Sequence, residues 1–136
     1  MAHPIHHAES SAKKFGGEAH EYLHLHQFLD GSKEHMADFR HRALRHHSEG
    51  IFMLEKLFGT TITLSTGRVL PVRFVGEQHV LEDLGRIPTV QDWLMKIQPE
   101  SWMLGRTRNR SRVDPPHEGV PPHRICHPGG IRFRDL

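Results

Sequence analysis

Hydrophobic residues in the first 59 positions recur three and four residues apart, which is the spacing of helices with one buried face. The pattern predicts three helices, at 4–15, at 18–30 and, as the longest, at 33–58. Pro4 suits the first turn of the first helix, Ser32 can cap the third helix, and Gly59 ends it. The N-terminal part of the chain is therefore predicted to be α-helical.

The pattern changes after Gly59 to runs rich in β-branched residues. Residues 60–66 and 68–75 are typical of two strands, and the Thr-Gly pair between them is typical of a hairpin turn. Pro71 has no amide hydrogen to donate, which restricts the second strand to a sheet edge or an irregular end. We expect a β-hairpin here.

Helical spacing returns after the hairpin in two shorter segments. Residues 76–85 predict one or two helical turns, and another short helix begins at Thr89, with Asp92 placed nearly as in a capping box. Further on, arginines alternate with polar residues and two Pro-Pro pairs follow, a composition that suits an extended arm. The sequence thus predicts an α+β fold that is mainly α, with a compact domain over 1–103 and an extended or disordered tail over 104–136.

Composition narrows the class of protein. At 136 residues, with 36% hydrophobic and 25% charged residues, the chain can bury one modest core. It has no apolar run of the roughly 20 residues that span a bilayer and no apolar signal sequence, so we expect a cytoplasmic protein without membrane contact. The single cysteine, Cys126, cannot form an intrachain disulfide, as expected in a reducing compartment.

Histidine is the outlier, with 14 copies in a chain of net charge +2. On the predicted third helix, His46 and His47 flank the hydrophobic stripe and should face protein, whereas His41 falls on the opposite side and should be solvated. Gly50 lies one turn beyond His46, and a glycine inside a helix usually indicates the close approach of another element. His26 lies on the hydrophobic stripe of the second helix.

Histidines from separate elements can therefore converge, and imidazole is a good ligand for zinc and other divalent transition metals. The candidate metal ligands are His7, His26, His46, His47 and His79. Glu49 follows His46 by three residues and Asp83 follows His79 by four, so either carboxylate can serve as ligand, orienting group or catalytic base. Such a centre would suit a metal-dependent hydrolase of phosphoester or amide bonds. The alternative is structural, since buried histidines usually satisfy one another's hydrogen bonds.

No catalytic signature identifies an enzyme, because the chain lacks His-Glu-x-x-His, Cys-x-x-Cys, Gly-x-Ser-x-Gly and a phosphate-binding glycine loop. The tail carries Arg106, Arg108, Arg110 and Arg112, which can contact phosphates without reading sequence. A second hypothesis is therefore a non-enzymatic phage or plasmid accessory protein that binds a host protein complex or nucleic acid. Three other hypotheses are that the tail only makes the protein soluble, that the protein is a pH-responsive structural protein, and that it forms a homo-oligomer.

Four stretches, at residues 3–17, 22–30, 37–59 and 76–94, resemble a family of small bacterial and phage proteins described as a domain of unknown function. The resemblance covers about residues 1–103 and implies no activity. It implies that family motif positions are occupied by His7, His26, His46, His47 and His79. This chain has His24 where the second motif of the family has proline, and the arginine-rich tail lies outside the resemblance.

Overall fold

The computed structural model describes residues 3–106, which form a mainly helical fold. The α-helices are α1 Pro4–Phe15, α2 Leu23–Asp30, α3 Arg42–Arg45, α4 Ser48–Phe58, α5 Val72–Leu84 and α6 Val90–Leu94. Strands β1 Thr61–Thr63 and β2 Val69–Pro71 pair antiparallel, with Ile62 opposite Leu70. Short 3₁₀-helices lie at Ala19–Glu21, Gly31–Glu34, Phe39–His41 and Ser101–Leu104. The predicted α+β class, mainly α with one hairpin, is confirmed.

The apolar core lies among α1, α2, α4, α5 and the hairpin. Its fully buried side chains include Tyr22, Leu25, Leu29, Leu54, Leu70, Val72 and Val75. Helices α4 and α5 pack closely at Gly76, where an added Cβ would lie 3.1 Å from Cγ2 of Ile51. This close packing brings the buried face of α5 against the centre of the domain.

Local capping signals place two helix starts as predicted. Pro4 occupies the first turn of α1, and the His3 ring accepts a hydrogen bond from the amide of Ile5 at 3.1 Å. Thr89 caps α6, where its hydroxyl accepts from the amide of Asp92 and the Asp92 carboxylate accepts from the amide of Thr89. These starts depend on residues only a few positions apart, which is why the sequence alone locates them.

The predicted long third helix is instead divided into separate helical segments. Asp38 and His47 begin new segments, since their side chains accept hydrogen bonds from the amides of Arg40 and Gly50, respectively. Such bonds satisfy amides that a continuous helix would pair with carbonyls four residues earlier. The helical phase is lost at each break. The prediction that His41 is solvated is therefore wrong, because its side chain is fully buried, with Nδ1 2.9 Å from Oγ of Ser32.

The second strand of the hairpin is shorter than predicted. It ends at Pro71, and the β-branched residues that follow begin α5. The buried positions of this helix include Val72, Val75, Gly76, His79 and Val80. They recur three and four residues apart, so burial of one helical face outweighs the β preference of the valines.

The described residues up to Ile97 form one compact unit, and the described residues 98–106 belong to a second. The predicted tail, 104–136, lies almost entirely outside the described residues, so the predicted domain boundary stays a prediction. Across the described part of the chain, no helix combines the length and apolar character needed to cross a membrane.

Gly50 is the residue that the turn between α3 and α4 most requires. A Cβ at this position would lie 1.8 Å from the carbonyl oxygen of Arg45. We therefore expect Gly50→Ala to lower the free energy of unfolding by about 2 kcal/mol or more, measured by chemical denaturation. Gly31→Ala is the matched control, because there an added Cβ would meet only Nη1 of the Arg45 side chain, at 3.2 Å, and no backbone atom. Equal stability of the two variants would show that the turn between α3 and α4 does not require glycine at position 50.

Candidate metal centre

Two histidines and two aspartates from separate parts of the chain converge at one buried point. Asp30 is the last residue of α2, and His46 lies in the turn between α3 and α4. His79 and Asp83 lie one turn apart on the same face of α5. One donor atom from each side chain lies within 4.8 Å of the other three. These side chains are between 0% and 5% exposed, so the cluster is enclosed by protein.

The ring nitrogens of His46 and His79 face each other and both carboxylates. Nε2 of His46 lies 2.9 Å from Oδ2 of Asp83 and 3.5 Å from Oδ1 of Asp30. Nε2 of His79 lies 3.2 Å from Nε2 of His46, 3.3 Å from Oδ1 of Asp30 and 3.4 Å from Oδ2 of Asp83. Lone pairs gathered this closely need a shared cation, either protons or a metal ion.

The electrostatics of the cluster favour charged aspartates. Burial alone would raise the pKa of Asp30 and of Asp83. Hydrogen bonds with His46 and His79 outweigh burial and hold both carboxyl pKa values below their usual range. Burial alone would lower the pKa of His46, but hydrogen bonds to the same two aspartates raise it. Without a metal, these aspartates therefore favour the protonated form of the His46 ring.

Two positively charged side chains lie near the outer oxygens of the cluster, which are the aspartate oxygens that do not face His46 and His79. The Arg42 guanidinium is 3.7 Å from Oδ1 of Asp83, and the Lys33 ammonium is 3.7 Å from Oδ2 of Asp30. Both cations offset part of the carboxylate charge from outside. The inner oxygens, Oδ1 of Asp30 and Oδ2 of Asp83, remain directed at His46 and His79.

His7 of α1 lies at the edge of the cluster. Its Nδ1 is 2.7 Å from Oε1 of Glu82, and its Nε2 is 3.4 Å from Oδ1 of Asp83. Burial alone would lower the pKa of His7, but hydrogen bonds with Asp83 and Glu82 raise it. The His7 side chain is 3% exposed and that of Glu82 is 36% exposed. This pair therefore connects the buried cluster to a carboxylate at the surface.

Of the residues proposed from the sequence, His46, His79 and Asp83 lie in the four-donor cluster. His26 and His7 adjoin it. Nδ1 of His26 lies 2.8 Å from Nδ1 of His79, and Nε2 of His7 lies 3.4 Å from Oδ1 of Asp83.

His47 and Glu49 lie outside the cluster. Nδ1 of His47 accepts a hydrogen bond from the Gly50 amide at 2.9 Å, and its Nε2 lies 3.1 Å from the carbonyl oxygen of Ala43. Nδ1 of His47 thus caps α4, while its Nε2 is engaged by a carbonyl of α3. The Glu49 carboxylate accepts from the amide of Val90, at the start of α6. The break before α4 turns these two side chains away from His46.

Asp30 was not among the metal ligands predicted from the sequence, where it marked only the end of the second helix. Its position four residues after His26 was a usable signal, because that spacing places both residues on one helical face. In the tail, Arg106 is exposed, whereas Arg108, Arg110 and Arg112 lie outside the described residues. Binding of nucleic acid or a protein partner by these arginines stays a prediction.

Comparison with known proteins identifies a family but no activity. The family model described as a domain of unknown function, DUF6915, matches residues 2–103. No curated protein and no solved structure matches the chain. The match confirms the extent of the resemblance expected from the sequence motifs.

We expect the metal-free protein to lose stability as the pH falls from 6.5 towards 5. Burial lowers the pKa of His26 to about 2 and that of His41 to about 4, from 6.5 in an unfolded chain. Because the unfolded state takes up these protons first, stability present above pH 6.5 is lost below it, by on the order of 1 kcal/mol per pH unit for each histidine. The raised pKa values of His7 and His46 act at higher pH, because the stability they contribute is fully present below pH 6.5 and is lost as the pH rises above it.

Chemical denaturation at several pH values measures this dependence. The variant His41→Asn should show a shallower loss of stability between pH 6.5 and 5, because one buried neutral ring is removed. If the free energy of unfolding changes with pH equally in the variant and the unmodified protein, His41 does not contribute to the pH dependence.

Proposed function

We propose that this chain, which belongs to the family described as a domain of unknown function (DUF6915), binds one divalent metal ion. Its ligands are Asp30, His46, His79 and Asp83. The spacing of the four donor atoms carries the proposal. Five of the six donor–donor distances lie between 2.9 and 3.5 Å, and the sixth, between the two carboxylates, is within 4.8 Å. A tetrahedron with bonds of about 2.1 Å has edges of about 3.4 Å, so the cluster has the size of a tetrahedral site.

The chemistry of the donors supports a transition metal, with zinc as the ion we expect. Two imidazole nitrogens and two carboxylate oxygens form a mixed set that suits zinc, and also manganese, iron or cobalt. The two aspartates bring two negative charges, which a divalent cation balances. Tetrahedral spacing favours zinc among these ions, because zinc sites in proteins are usually four-coordinate.

Enclosure of the donors supports a structural role for the ion. Four protein donors complete a tetrahedral shell, as in structural zinc sites, whereas catalytic zinc sites keep one position open. The donors come from α2, from the turn before α4 and from α5, which are distant in sequence. An ion held between them would stabilise the folded state by its binding free energy.

Adjacent histidines provide a matched test of metal binding. Untagged protein should bind one equivalent of zinc by calorimetry, and zinc should raise its Tm. His46→Asn removes a donor, so we expect at least about a 100-fold loss of affinity and little rise in Tm. His47→Asn is the control, because asparagine also caps helices and His47 supplies no donor to the cluster. It should bind zinc as the unmodified protein does.

Two results would remove the proposal. One is that the folded, unmodified protein binds no zinc, manganese, iron or cobalt. The other is that His46→Asn binds zinc with unchanged affinity.

Hydrolysis is the second candidate function, and the groups around Oδ1 of Asp83 favour it. A bound divalent metal would supply a Lewis acid that polarises a phosphoester or an amide if its shell expands from four donors to five. The His7–Glu82 pair lies beside the cluster and reaches the surface, as a base that accepts a proton from water would need to. Arg42 adds a nearby cation that can hold a phosphate.

Zinc-loaded protein assayed with bis(4-nitrophenyl) phosphate tests this second candidate. We expect turnover that His7→Gln lowers by at least about tenfold while zinc affinity is retained. Absence of turnover in zinc-loaded protein would leave the structural role alone.

A further inference from the structure

A continuous chain of buried hydrogen bonds leads from α1 and α5 to the ring of His79. The Gln78 amide oxygen contacts the Ser11 hydroxyl, and Oγ of Ser11 lies 2.8 Å from Nε2 of His26. Nδ1 of His26 then lies 2.8 Å from Nδ1 of His79. None of the four residues is more than 4% exposed, so water does not compete for these bonds.

Gln78 determines the direction of the first bond. Its Nε2 lies 3.2 Å from the carbonyl oxygen of His7 and 2.8 Å from Oε2 of Glu82. Both partners are acceptors, so this atom must be the amide nitrogen. The Gln78 oxygen is therefore the atom that faces Ser11, and it can only accept.

Ser11 determines the proton position on His26. Besides His26, its hydroxyl faces two acceptors, the Gln78 oxygen and the carbonyl oxygen of His7. The single hydroxyl proton must point to one of these acceptors, so it is not available to His26. Nε2 of His26 therefore carries a proton and donates it to Ser11.

His26 in turn determines the tautomer of His79. The His26 ring is fully buried and its hydrogen-bond partners are Ser11 and His79, with no carboxylate among them, so the ring is neutral and Nδ1 has a lone pair. Nδ1 of His26 can then only accept, which places a proton on Nδ1 of His79.

We infer that Gln78, Ser11 and His26 act as positioning residues that hold His79 with its proton on Nδ1 and its Nε2 directed at the metal. This inference rests on the proposed function. A ligating histidine must present a lone pair, and the partner of its other nitrogen sets the tautomer and the orientation of the ring. Nε2 of His79 is the atom that faces Asp30, His46 and Asp83.

Nitrogen NMR of the histidine rings in metal-free protein tests the inference directly. We expect His26 to carry its proton on Nε2 and His79 to carry one on Nδ1. A proton on Nδ1 of His26 would overturn the inference, whether or not the protein binds zinc.

Zinc affinity of two serine variants provides the second test. Ser11→Ala removes the acceptor for His26, so His79 is no longer held in one tautomer, and we expect affinity to fall about 10-fold to 100-fold. Ser32→Ala is the matched control, because Ser32 is an equally buried serine that pairs with another histidine, His41, at 2.9 Å. It should bind zinc with unchanged affinity.

The outcomes separate this inference from the proposed function. If the unmodified protein binds zinc and Ser11→Ala binds it equally well, the positioning role is wrong and the metal site stands. If the unmodified protein binds no metal, the proposed function is wrong, and the nitrogen spectra still decide the tautomers.

Discussion

Burial of two carboxylates, Asp30 and Asp83, is the constraint on which the rest of the structure depends. A buried charge without partners costs several kcal/mol, so the fold has to surround each aspartate with donors or cations. His46 and His79 contact the inner oxygens, while Arg42 and Lys33 approach the outer ones. These partners come from different segments. The same electrostatic requirement therefore brings together parts of the chain that are distant in sequence.

The least regular backbone of the domain is the part that this cluster most needs. His46 lies where the chain leaves α3, with φ −91° and ψ 70°, and His47 then adopts an extended conformation that caps α4. Gly50 permits the turn because no side chain separates it from the carbonyl of Arg45. A straight helix would keep His46 in phase with its neighbours, so the break is what directs this ring at α2 and α5.

The excess of histidine has several physical causes, since imidazole can donate through one nitrogen and accept through the other. His46 and His79 face the carboxylates, and His26 connects His79 to a buried serine. His3 and His47 accept hydrogen bonds from backbone amides at helix starts. One residue type thus serves charge pairing, ring orientation and capping, and a count of histidines alone does not separate these roles.

The sequence by itself determined the features that depend on residues a few positions apart. These are the bounds of α1, the hairpin turn, the Thr89 capping box and the shared face of His79 and Asp83. Only the tertiary structure decided that His46 faces Asp30 and that His41 is buried. The reason is that helical phase predicts the direction of a side chain only along an unbroken helix. Where the chain turns between helices, the packing of distant segments sets which side chains meet.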